Sequence, residues 1–75
     1  MTNVHTPVWE HMRTELVVRR ALLGFTQAEA AAAARISREA LSTYERGARN
    51  PPVDVLSRLA AVYGLRLALL PEEEP

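Results

Sequence analysis

Glycine occurs only three times in the 75 residues, at Gly24, Gly47 and Gly64, and each time it closes a run of helix-periodic sequence. A glycine just past a helical run is a stop signal, because it enters the left-handed backbone conformation at little cost. With the rigid turn Asn50-Pro51-Pro52, these stops cut the chain into short helices joined by brief connections. Connections of two to six residues suit a compact helical bundle. The expected fold is therefore all-α, with four main helices.

Each segment carries its own signals. Thr6 is the expected N-cap of the first helix, Pro7 fits its first position, and Glu10 follows in the first turn. Trp9, Met12, Leu16, Arg20 and Leu23 recur at three- and four-residue spacing and mark its face for burial. Thr26 and Glu29 form a capping box for the second helix. Its alanines, Ala30 to Ala34, combine high helix propensity with almost no bulk, which suits a close crossing by another helix.

Ser37 caps a third helix, spanning residues 37–46, with Ile36, Ala40, Leu41 and Tyr44 facing inward. Arg38, Glu39, Ser42, Thr43 and Arg46 then form an outward polar row. A fourth helix opens at Val53, with Val53, Leu56, Leu59, Ala60 and Tyr63 as its buried stripe. In "LRLALLP", Leu65, Leu67 and Leu69 alternate with Arg66 and Ala68, the period of a strand. The chain thus divides into a helical unit (1–64), a C-terminal strand (65–71) and an acidic tail (72–75) without expected structure.

Composition excludes several functions. A single domain of this length sits near the lower limit for a self-sufficient core, and the absence of cysteine removes disulfides and thiolate metal sites. His5 and His11 lie six apart, which is not a helical ligand spacing, so neither a metal nor any other cofactor is expected. Ser37, Ser42 and Ser57 lack a histidine at a catalytic spacing and no glycine-rich loop is present, so no enzyme is expected. No apolar run approaches the roughly 20 residues that span a bilayer, so no membrane partner is expected. The expected location is the cytoplasm, in association with the nucleoid. Formal net charge is zero, yet residues 1–71 hold nine arginines against six acids, a net of +3, because Glu72, Glu73 and Glu74 lie within the last four residues. All nine cations are arginine, the better bidentate partner for phosphate and guanine.

Phe25-Thr26-Gln27, Ala31, Ile36-Ser37, Leu41-Ser42, Glu45-Arg46-Gly47, Pro51 and Leu56 with Leu59-Ala60 fall in one ordered pattern. In this the chain resembles the Xre/Cro-type helix-turn-helix domain of phage and bacterial repressors, over about residues 12 to 65. One position departs from the family: Arg35 stands where a turn glycine is usual. A left-handed non-glycine residue costs on the order of 1 kcal/mol. Either Arg35 bears that strain or the turn is rearranged.

The resemblance implies that residues 37–46 enter the major groove of double-stranded DNA while the preceding helix crosses the backbone. Arg38, Glu39, Ser42 and Thr43 would then read bases. Thr26, Gln27, Ser37, Arg46, Arg49 and Asn50 would hold phosphates. It also implies a structural ion pair between Arg20 and Glu45, in keeping with Arg20 falling on the inward stripe of its helix. A lone strand must pair with something. The same strand of a second copy is the simplest mate, making Leu65, Leu67 and Leu69 a homodimer interface. Such a strand looks like those of HipB-like antitoxins, small dimers that repress their own operon and neutralise a toxin protein. The competing expectation is a coactivator-like interaction module of the same fold that reads no DNA.

Overall fold

The computed structural model describes residues 8–71; the expected cap at Thr6 and Pro7, His5 and the acidic tail lie outside them. Four helices follow in order: α1 (Val8–Leu23), α2 (Gln27–Ala34), α3 (Arg38–Glu45) and α4 (Val53–Val62). The architecture is all-α.

The local signals operate as chemistry demands. Thr26 Oγ1 accepts from the Glu29 amide at 3.0 Å while Glu29 Oε1 accepts from the Thr26 amide at 2.9 Å, closing the capping box of α2. Ser37 Oγ accepts from the Ala40 amide at 3.0 Å and caps α3. All four helices end alike. The amides of Phe25, Ile36, Ala48 and Leu65 each reach back five residues, to the carbonyls of Arg20, Ala31, Thr43 and Ala60. This closure needs a left-handed residue just before the donor. Gly24, Gly47 and Gly64 supply it three times, and Arg35, at φ 62°, supplies it at the end of α2. The turn is not rearranged. Arg35 carries the strain.

Packing follows from the thin second helix. Ala30, Ala31 and Ala34 are buried, and α2 packs against both α3 and α4 along that face. Ala32 and Ala33 stay exposed and contribute helix propensity alone. Leu41 from α3, Leu59 from α4 and Tyr63 just past the end of α4 supply the bulk that α2 lacks; each is 1–2 % exposed. Trp9 and Leu16 cover the core from α1, with Met12 half-buried beside them.

Three expectations are corrected. Leu23 is exposed: it belongs to the last turn of α1, beyond the end of the core. Val53 is 75 % exposed and Val55 is buried in its place, because α4 opens at residue 53 and its first residue projects past the contact with α2. Residues 65–71 are neither strand nor fifth helix, and no strand occurs among the described residues. A strand needs a paired edge, and this all-helical chain offers none. The alternation serves packing instead: Leu65 and Leu67 turn onto the core and Arg66 and Ala68 outward. The pattern fails at Leu69, which is fully exposed.

Candidate nucleic-acid interface

The capped start of α3 sets the outward row. Ser37 fixes where the helix begins, so Arg38, Glu39, Ser42 and Thr43 fall opposite Leu41. Arg38 and Glu39 are solvent-exposed and 3.9 Å apart, a loose pair that leaves the guanidinium free to reach outward. Ser42 and Thr43 are half-buried. Thr43 Oγ1 donates to the Glu39 carbonyl at 2.9 Å, so its proton is committed within the helix. What it can offer a base is its methyl group or a lone pair. Arg46 Nη2 leans towards that oxygen at 3.4 Å.

The expected phosphate contacts divide into three groups. Thr26 and Ser37 accept from amides as caps, which leaves each hydroxyl proton able to donate outward. Arg46, Arg49 and Asn50 are exposed at the exit of α3. Arg49 is not remote from the reading row. It shares a cavity of about 280 Å³ with Ser37, Glu39, Ala40, Thr43 and Tyr44. Gln27 is placed differently: its Nε2 donates to Glu45 Oε1 at 2.8 Å, tying α2 to α3.

Glu45 is the hub beneath this surface. Arg20 Nε donates to its Oε2 at 2.7 Å and Arg20 Nη2 to its Oε1 at 3.0 Å, a bidentate pair with side chains only 18 % and 12 % exposed. The hydrogen bond to Glu45 raises the Arg20 pKa above its ordinary value, against the opposing effect of burial. The Tyr63 hydroxyl, buried without a hydrogen-bond partner, is pushed up to about 12 by burial and by the nearby Glu45 charge. Its ring lies 6.2 Å from that of Phe25, tilted by 40°.

Sequence reasoning missed the use of the other arginines. Arg13 Nη1 donates to the Glu45 carbonyl at 3.1 Å, Arg58 Nε to the Ala34 carbonyl at 2.8 Å, and Arg19 Nε to the Tyr63 carbonyl at 3.2 Å. Each cation thus sits at the C-terminal end of another helix, where orphan carbonyls and the dipole favour it. The one available signal was spacing: Arg13 and Arg20 lie two helical turns apart, on one stripe of α1. Of the nine arginines, Arg35, Arg38, Arg46, Arg49 and Arg66 make no bond to another element among the described residues, and all but Arg66 lie between residues 35 and 49.

Among the described residues no cluster of three or more His, Cys, Asp or Glu is placed to hold a metal ion, and no helix is long and apolar enough to cross a membrane. Among known families, the model described as Helix-turn-helix matches residues 18–70, well over half of the chain. No curated protein and no solved structure matches.

Proposed function

Because the chain belongs to the Xre/Cro-type helix-turn-helix family, a family of DNA-binding regulators, we propose that it is a dimeric repressor reading a pseudo-palindromic operator through α3. One observation carries the reading. Once the arginines tied to helix ends and to Glu45 are set aside, four of the five that remain lie within or directly flank α3, between residues 35 and 49. A bridging module of the same fold has no need of that arrangement.

In this reading Arg38 donates bidentately to a guanine, Ser42 and Thr43 touch neighbouring base edges, and Glu39 selects by accepting from a cytosine amine. Thr26, Ser37, Arg46, Arg49 and Asn50 hold the flanking phosphates. Gln27 keeps one amide proton on Glu45 and offers the other to the backbone. Residues 1–64 form the reading unit, 65–71 the dimer contact and 72–75 the acidic tail. Exposed Leu69, Val8 and Val53 support a second copy docking there, since with Trp9, Met12 and Leu56 they line one apolar cavity of about 580 Å³. An autoregulating antitoxin of the bacterial cytoplasm, bound to a cognate toxin, is the narrower form of the proposal. Its support is the alternating leucine sequence of residues 65–71 alone, a segment that forms no strand within the single chain.

Selection from a random duplex library with the full-length chain tests the reading. The expected result is enrichment of two related half-sites about 34 Å apart, one DNA turn. Failure to enrich any sequence would favour the interaction module.

A further inference from the structure

We infer that the first half of α1 is a clasp that fixes the pose of the base-reading helix, with Arg13 as its positioning residue. The inference rests on α3 being that helix. Three contacts define the clasp. Arg13 Nη1 donates to the carbonyl of Glu45, the last residue of α3, at 3.1 Å. Its Nη2 donates to Glu10 Oε1 at 2.6 Å, which fixes the guanidinium plane. The same plane lies against Gly47: a Cβ there would sit 3.1 Å from Arg13 Nε and 3.2 Å from Cζ. Gly47 therefore serves two ends, a left-handed helix stop at φ 79° and a bare surface for the arginine.

Glu10 and Arg13 both lie in the first half of α1, ahead of residue 18 where the family match begins. Two turns later on the same stripe, Arg20 grips the Glu45 carboxylate. One residue at the end of α3 is thus held by its main chain and by its side chain, from two points of a single rigid helix. Without Arg13, α3 keeps its packing on α2 and the Arg20 grip, but it can pivot about the Glu45 side chain. Base-edge hydrogen bonds weaken steeply with angle. Phosphate contacts position the protein and carry no sequence information. A pivot therefore erodes specific binding and leaves non-specific binding intact.

Arg13→Ala and Glu10→Gln in the full-length chain test this, at a temperature where circular dichroism shows both folded. For Arg13→Ala, affinity for the selected duplex should fall about tenfold, within the discrimination carried by one base contact. Affinity for random duplex and the salt slope of log K should not change. Glu10→Gln should move the same way by less. In the absence of DNA, amide exchange at Gly47 and Ala48 should quicken in Arg13→Ala while α2 and α4 keep their protection. Parallel losses on both duplexes, with a slope lower by about one, would mean that Arg13 touches phosphate directly and would overturn the clasp. So would a lower melting temperature with both affinities unchanged. If the wild-type chain selects no sequence, the DNA-reading premise fails by itself. The exchange measurement then still decides: unaltered protection at Gly47 and Ala48 would end the proposal.

Discussion

Arg20 and Glu45, 25 residues apart in sequence, meet through two parallel hydrogen bonds of 2.7 and 3.0 Å and join α1 to the end of α3. Removing either partner strands the other in a largely desolvated place. Arg20→Ala or Glu45→Ala should cost about 3–5 kcal/mol, and an apolar pair replacing both should cost much less. Thermal melts of the two single variants and the double variant measure the difference. Additive losses would mean that the pair does not act as a unit.

Arg38 and Arg49 should separate base reading from phosphate holding. Arg38→Ala should cost about 1–3 kcal/mol on the selected duplex and little on random DNA. Arg49→Ala should weaken both and lower the salt slope by about one. Because Arg49 shares a cavity with Glu39 and Thr43, relaxed specificity with an unchanged slope would move it into the reading row.

Arg35 sits left-handed at φ 62°, where the other three helix ends use glycine. Arg35→Gly relieves on the order of 1 kcal/mol of backbone strain, and the added freedom of the unfolded chain offsets part of that gain. The melting temperature should hold or rise. Arg35→Val, β-branched at a left-handed position, should lower it clearly.

Tyr63 gives an alkaline signature. Its folded pKa is raised to about 12, so its contribution is fully present below the unfolded value near 10 and is lost as pH rises through the folded one. Stability should fall above pH 10 at up to about 1.4 kcal/mol per pH unit from this group. The chain has neither lysine nor cysteine to titrate in that window. Tyr63→Phe should abolish this component and cost little at neutral pH, since it removes a buried hydroxyl that has no partner.

Leu69→Glu isolates the dimer contact. That side chain is fully exposed in the single chain, so melting of dilute protein should be nearly unchanged while sedimentation shows a lighter species. Leu67→Ala, by contrast, should lower the melting temperature, because Leu67 packs on the core. Variants at both sites that remain dimeric would place the interface on the helices.

Helix ends and caps were legible in the sequence because each is written within about five residues, and the helix-turn-helix pattern because such local signals recur in a fixed order from Phe25 to Ala60. Thr26 with Glu29, Ser37 with Ala40, and the three glycines act on their immediate neighbours. The inward row of α3 was legible for the same reason, a fixed period along one helix. The ends of the buried stripes were not: Leu23 and Val53 keep the period but fall where no neighbouring helix reaches, and only packing shows that. The period-2 run after Gly64 reads as a strand and forms none in the single chain, because a strand is a relation between two backbones.

The arginines divide most sharply between the two sources. Their number and clustering are sequence facts, and the inward stripe marked Arg20 as structural, yet nothing in the sequence gave Arg13, Arg19 and Arg58 the same role. Arg13, Arg19 and Arg58 bond carbonyls 32, 44 and 24 residues away. Every residue carries the same carbonyl, so no side-chain pattern marks which one an arginine will find. Only the tertiary approach of one helix end to another decided which arginines were tied down, and so which remained around α3.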